Sequence, residues 1–266
     1  MNASPKAQSP QGASRKLEKG RNIIAVASGK GGVGKTWFSV TLTHAFAQHR
    51  QRALLFDADL GLANVDIQLG LMPQRDLGGV ISGRLSLEQA KIHYADGNFD
   101  VLAGRSGSGS LAALPPNRLA TLGTDLVHMA SQYDRVIMDL GAGIDRTVRG
   151  LSSRAGTIIV VTSTEPTSLT DAYAFIKVTM QANPSADVRV VINSCATHAE
   201  GRRTYETLRK ACDSFLKYAP PLLGVIRRDP KVLESIRNQI PLLTRFPNCN
   251  AADDVGGVLD NLLESR

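Results

Sequence analysis

A glycine-rich segment with two lysines carries the clearest chemical signal in the sequence. It reads Gly29-Lys30-Gly31-Gly32-Val33-Gly34-Lys35-Thr36, directly after the apolar residues 23–27. Glycines permit backbone angles that let successive N–H groups converge on phosphate oxygens at the start of the next helix. We expect Lys35 to neutralise the β and γ phosphates of a nucleotide, and the Thr36 hydroxyl to ligate Mg²⁺. Residues 29–36 are therefore predicted to bind nucleotide as a phosphate-binding loop.

Lys30 occupies a position that the minimal phosphate-binding pattern leaves open. Two cations this close repel each other unless further negative charge arrives, and charge-assisted contacts to phosphate are strong. The alternative is a solvated loop charge. The pattern resembles the deviant Walker A loop of the MinD/ParA family, whose early lysine reaches the phosphates of a partner across a nucleotide-sandwiched dimer. The resemblance implies dimerisation on ATP, with Lys30 and Lys35 both catalytic.

Two carboxylates follow the apolar residues 53–56. Asp57 and Asp59 alternate in an extended segment, so we expect both side chains on the same side, near Mg²⁺ and the γ phosphate. This segment resembles switch I of the MinD/ParA group. By that resemblance Asp59 is catalytic and positions the attacking water, while Asp57 supports the water shell of the metal. Aspartates that only cap a helix or a turn are the alternative.

Asp139 follows residues 135–138, of which the last three are apolar, and precedes a turn with two glycines. The segment resembles a Walker B strand that merges into switch II. The resemblance implies that Asp139 binds the magnesium through water, and that a backbone N–H within residues 141–143 senses the γ phosphate. A strand that ends in aspartate is common among α/β proteins, so the prediction depends on the two preceding motifs.

Asn193 directly follows residues 188–192, which are apolar except for Arg189. An amide offers the donor and the acceptor that the amine and ring nitrogen of adenine require, and the resemblance assigns Asn193 to adenine recognition. A capping or turn asparagine is the alternative. Family members often carry proline where this chain has Arg227, in a loop expected to flank the base.

These residues need a scaffold that brings several strand ends to one edge. Apolar runs typical of strands buried on both faces alternate with helical patterns. The predicted strands are 23–27, 53–56, 99–102, 135–138, 157–162, 188–192 and 222–226. The predicted helices are 35–49, 116–132, 145–153, 167–182, 201–217, 230–238 and 252–264. The alternation predicts an α/β fold, a single-domain P-loop NTPase with a mostly parallel twisted sheet and helices on both faces.

Composition and charge set the class of protein. The 266 residues are 42% hydrophobic and only 5% aromatic, which predicts one large domain with an aliphatic core. Three widely separated cysteines argue against a disulfide framework or a zinc site. We find no apolar stretch of membrane-spanning length and no apolar signal core, so we expect a cytoplasmic protein.

The net charge of +7 is concentrated near the two ends of the chain. Residues 1–21 are predicted to be a disordered basic tail, and residues 22–266 a MinD/ParA-like P-loop ATPase domain. A C-terminal amphipathic helix is predicted at 252–264. Its polar face is acidic and would be repelled by anionic lipids, which favours packing on the core. Weak association with the inner face of the cell membrane or the cell pole is the alternative.

Two further segments, 59–66 and 164–173, resemble the FlhG/FleN branch, the flagellar-number ATPases. The resemblance covers roughly residues 22–245 and implies an ATP-dependent homodimer that hydrolyses ATP slowly with Mg²⁺ and regulates flagellar number or placement. The implied partners are the GTPase FlhF, a flagellar transcription activator and switch-complex components. One alternative is a ParA-like partition ATPase that binds nonspecific DNA as an ATP dimer through its basic C-terminal third. Another is an adaptor that binds nucleotide without hydrolysis.

Overall fold

The computed structural model describes residues 19–104 and 115–264, in which strands and helices alternate. The strands are β1 (Gly20–Ser28), β2 (Ala53–Ala58), β3 (Ile92–Tyr94), β4 (Phe99–Leu102), β5 (Arg135–Ala142), β6 (Ala155–Thr162), β7 (Asp187–Cys195) and β8 (Leu222–Arg227). The longer helices are α1 (Lys35–Gln48), α5 (Pro116–Ala130), α6 (Arg146–Ser152), α7 (Pro166–Ala182), α8 (His198–Leu216), α9 (Pro230–Arg237) and α11 (Asn250–Glu264). Four short helices join them: α2 (Val65–Leu69), α3 (Leu77–Ile81), α4 (Leu87–Ala90) and α10 (Leu242–Arg245).

One sheet of eight strands, in the order β3-β4-β2-β5-β1-β6-β7-β8, forms the centre of the fold. Every strand pair is parallel except β3 with β4, which form an antiparallel edge. The α/β prediction with a mostly parallel sheet is confirmed. Each predicted strand and helix is present, and the helix ends agree within one turn.

The structure differs from the sequence prediction at the start of β1 and in several short elements. β1 begins at Gly20, before the predicted domain start, because its N–H donates to the carbonyl oxygen of Arg154 at 2.9 Å. The rest of the predicted basic tail, residues 1–18, lies outside the described residues. The sequence prediction also lacked β3 and the four short helices.

Helices cover both faces of the sheet. Successive residues of β1 alternate between two cores: Ala25 and Ala27 pack with α5 to α8, and Ile24 and Val26 pack with α1 and α11. This two-sided burial explains why the strands are apolar throughout. The parallel strands also deliver their carboxyl ends to one edge, where β2, β5 and β1 are neighbours.

The C-terminal helix α11 packs on the core. Val255, Val258 and Leu259 are fully buried against β8 and α1. The apolar stripe predicted for this helix therefore packs on the core, as we expected. Over the part of the chain that the structure describes, no helix combines the length and hydrophobicity needed to cross a bilayer.

Candidate functional site

The phosphate-binding loop, residues 29–36, joins β1 to α1. Gly32 and Gly34 have φ of 80° and 86°, in the left-handed region that favours glycine. Above the loop, a Cβ at Gly31 or Gly32 would meet only open space. Below it, a Cβ at Gly34 would collide with the side-chain amide of Asn193. The loop is therefore open on the side where a ligand would enter and tightly packed on the other.

Lys35 begins α1 and its side chain is only 8% exposed. Its Nζ lies 3.4 Å from Oδ1 of Asp139, and the same oxygen accepts a hydrogen bond of 2.9 Å from the Ser39 hydroxyl. Ser39, one helical turn after Lys35, was missing from the sequence prediction. The other oxygen of Asp139, Oδ2, is buried and has no hydrogen-bond partner among the described residues. A buried carboxylate oxygen without a partner is rare, and a water or an ion at this oxygen would satisfy it.

Asp57 is fully buried and pairs in register with Asp139 on the neighbouring strand. Its carboxylate accepts backbone N–H groups of Asp59 at 3.2 Å and Val65 at 3.3 Å. Burial, followed by the charge of Asp139, raises the pKa of Asp57 to about 8. A buried carboxyl group beside another carboxylate resists ionising, so a nearby cation would stabilise the charged form of Asp57.

These groups fit the predicted Mg²⁺. No cluster of three histidine, cysteine or acidic side chains within the described ranges could hold a metal unaided. Mg²⁺ does not need such a cage, because it keeps several waters and binds through one or two carboxylates and substrate phosphates. A divalent cation nearby would give the unpartnered Oδ2 of Asp139 a partner and would lower the raised pKa of Asp57. Thr36 lies at the cavity wall, where its hydroxyl is available as a ligand.

A cavity of about 920 Å³, the phosphate cavity, opens above the loop. Lys35, Thr36 and Asp59 line it, together with Gly141 of the segment predicted to be switch II. Oδ1 of Asp59 accepts the backbone N–H of Leu62 at 3.1 Å and faces Gly141. Asp57 does not line the cavity and lies beneath it. Only Asp59 of the two predicted aspartates is therefore placed to contact a ligand directly.

Lys30 lies outside the phosphate cavity. Its Nζ contacts Oε2 of Glu165 at 2.8 Å and the Thr167 hydroxyl at 3.0 Å, at the start of α7. The Lys30 ammonium lowers the pKa of the Glu165 carboxyl. The two partners were absent from the predicted site, although both belong to segment 164–173. Lys30 is thus held in an exposed ion pair at the start of α7.

Asn193 lies under the loop, where its Nδ2 donates to the carbonyl oxygen of Val33 at 2.7 Å. Arg227 is oriented toward α11, and its guanidinium binds both carboxylate oxygens of Asp254 at 2.9 Å. The neighbouring Arg228 instead approaches the Ser194 hydroxyl at 3.3 Å. The Arg227 side chain therefore ties β8 to α11.

Comparison with known proteins places this arrangement among nucleotide-binding domains. The family model described as the CobQ/CobB/MinD/ParA nucleotide binding domain matches residues 24–242. The antiactivator FleN of Pseudomonas aeruginosa is 38% identical over 230 residues, which are 86% of this chain and 82% of FleN. The flagellum site-determining protein YlxH of Helicobacter pylori is 29% identical over 91% of this chain and 83% of its own.

Solved structures agree with the fold. The septum site-determining protein MinD of Pyrococcus horikoshii, complexed with Mg-ADP, superposes with a TM-score of 0.77. The superposition covers 92% of this chain and 97% of that one, at 24% identity. At this identity the likeness concerns the fold alone.

Proposed function

Because the chain belongs to the CobQ/CobB/MinD/ParA family of nucleotide-binding domains, we propose that it is a dimerising switch that binds ATP and hydrolyses it slowly with Mg²⁺. The observation that carries this proposal is that the two lysines of the loop lie in different places. Lys35 lines the phosphate cavity, whereas Lys30 is held outside it at the start of α7. A loop with one cation in place and a second one held elsewhere is suited to serve two nucleotides, its own and that of a partner.

The residues around the cavity have separate tasks in this proposal. Lys35 and the backbone of the loop bind the β and γ phosphates, and Asp59 orients the attacking water from the cavity wall. The Thr36 hydroxyl would ligate Mg²⁺, and Asp57 and Asp139 would hold its water shell from beneath the cavity. The bound ion would neutralise charge on the phosphates. Phosphoryl transfer needs little covalent help, so positioning and electrostatics supply most of the catalysis.

A second copy of the chain would complete the site. Leu62 and Ile67 line the cavity, yet they are 75% and 50% exposed. Large apolar side chains exposed side by side at the mouth of a cavity suit an interaction surface. A partner facing this surface would cover them and bring its own Lys30 to the phosphates. That cation resembles an arginine finger, which stabilises the charge of the transition state.

Adenine recognition by Asn193 is part of the same proposal. The bond to Val33 uses one hydrogen of the amide nitrogen. The second hydrogen is left to donate and the amide oxygen to accept, which is the pattern that a purine edge requires. The same bond couples the base position to the loop, because it joins Asn193 directly to the loop backbone.

The flagellar role rests on the relatives. FleN is named an antiactivator and YlxH a flagellum site-determining protein, and both align with most of this chain. We propose that the switch acts from the cytoplasm on flagellar number or placement, through FlhF, a flagellar transcription activator or switch-complex components. Deleting the gene in its own bacterium should change the number or position of flagella, counted by electron microscopy. An unaltered distribution would contradict this role.

Among the residues that the structure describes, no contact favours the partition alternative. Several bases of the C-terminal third already pair with acids: Arg209 with Glu206, Arg227 with Asp254, and both Lys231 and Arg245 with Glu234. Bases held by carboxylates are less available to DNA phosphates. Salt-sensitive binding to nonspecific DNA in the presence of ATP would favour the partition class instead.

Lys30→Ala should bind ADP as the wild type does but stay monomeric with ATP and Mg²⁺. Lys35 serves the phosphates within one chain, so deleting Lys30 removes a contact that exists only between two chains. Light scattering coupled to size exclusion measures the molar mass directly.

Glu165→Gln is the matched control, because it removes the ion pair with Lys30 but keeps the lysine. An exposed pair of this kind is weak, so this variant should dimerise at least as readily as the wild type. Dimerisation of Lys30→Ala at wild-type protein concentrations would refute a lysine acting in trans.

A further inference from the structure

The single tryptophan of the chain lies in the wall of the phosphate cavity. Trp37 directly follows Thr36 in the first turn of α1 and is 5% exposed. Its indole ring belongs to the core on the α1 side of the sheet, and the residue also lines the cavity. Trp37 therefore stands between the apolar core and the space where the phosphates are proposed to bind.

The indole Nε1 of Trp37 is buried and has no hydrogen-bond partner in the described part of the chain. An indole N–H can only donate, so it cannot be satisfied by another donor. A buried donor without an acceptor bears its full desolvation penalty, and each such group in a folded protein calls for an explanation. Packing alone does not supply one, because phenylalanine would fill an apolar core without the N–H.

We propose that Trp37 is a nucleotide-contacting residue whose indole N–H donates to a phosphate oxygen of bound ATP or ADP. The inference rests on the proposed function, since it requires nucleotide in the phosphate cavity. Phosphate oxygens are charged and accept only, which complements a group that donates only. Trp37 lies on the same turn as Lys35 and Thr36 and lines the same cavity, which places it beside the same ligand.

Intrinsic fluorescence tests the placement, because all tryptophan emission of this chain comes from Trp37. Titration with ADP and Mg²⁺ should change the emission, with a midpoint equal to the Kd from calorimetry. Lys35→Ala, which lacks the phosphate cation, should show no change over the same range. Binding seen by calorimetry without any change in emission would overturn the inference.

Trp37→Phe tests the hydrogen bond, because it keeps an aromatic ring and removes the N–H. The affinity for both ADP and ATP should fall roughly ten- to hundredfold, the effect of losing one charge-assisted hydrogen bond. Phe38→Leu is the control, because Phe38 is fully buried on the same helix but does not line the cavity. That variant should bind nucleotide as the wild type does.

The outcomes separate the two proposals. Wild-type affinity in Trp37→Phe would overturn the role of Trp37 and leave the nucleotide site intact. Absence of nucleotide binding by the wild-type protein, measured by calorimetry, would instead overturn the proposed function itself.

Discussion

Lys35→Ala is expected to lose ATP binding and dimerisation together. Lys35 is the only lysine or arginine among the described residues that line the phosphate cavity. Its contacts to phosphate are charge-assisted and contribute about 1.5–3 kcal/mol each, roughly a ten- to hundredfold effect on affinity per contact. The substitution also leaves the buried Asp139 carboxylate without its cation.

Isothermal titration with ATP and with ADP measures the loss. Lys30→Ala serves as its control, since that variant removes a lysine from the same loop but should retain ADP binding within one chain. Wild-type affinity in Lys35→Ala would show that residues 29–36 are not the phosphate site.

Asp59→Ala should keep ATP and accumulate as a dimer while phosphate release falls by about a hundredfold or more. Asp59 is the carboxylate at the cavity wall, where its Oδ1 is held by the N–H of Leu62. Removing a negative charge near the γ phosphate cannot weaken the attraction of ATP. The contact to water is needed only for the reaction, so the loss appears in turnover and spares binding.

Asp145→Asn is the matched control for this prediction. Asp145 also lines the phosphate cavity, and its carboxylate caps α6 by accepting the N–H of Val148 at 3.0 Å. Asparagine caps helices as well as aspartate does, so only a charge is lost. Equal turnover in Asp59→Ala and the wild type, or an equal loss in both variants, would show that Asp59 does not orient the water.

The parts of the site that could be predicted are those encoded by neighbouring residues. Residues 29–36 could be predicted to bind phosphate because the glycines, lysines and threonine lie within one short segment. Asp57 and Asp139 could be assigned to one sheet edge because each follows an apolar strand, and parallel strands bring their carboxyl ends together. Their register as direct neighbours, Asp57 opposite Asp139, appears only in the folded sheet.

Contacts between distant segments could not be predicted from local pattern. Lys30 and Glu165 are 135 positions apart, and nothing in either segment specifies that they meet. The raised pKa of Asp57 likewise depends on burial and on a carboxylate from another strand. β3 escaped prediction because it has three residues, and the only buried position in its pattern is Tyr94. So short a strand shows no usable alternation.

The molar mass of the wild-type protein with bound nucleotide tests the dimerising switch most directly. Light scattering in Mg²⁺ with ADP should give the 28.5 kDa of one chain, and a non-hydrolysable ATP analogue should give twice that mass. The analogue retains the γ phosphate that the lysine of the partner is proposed to contact, whereas ADP lacks it. A single-chain mass with both nucleotides, at concentrations where calorimetry shows the analogue bound, would contradict the account.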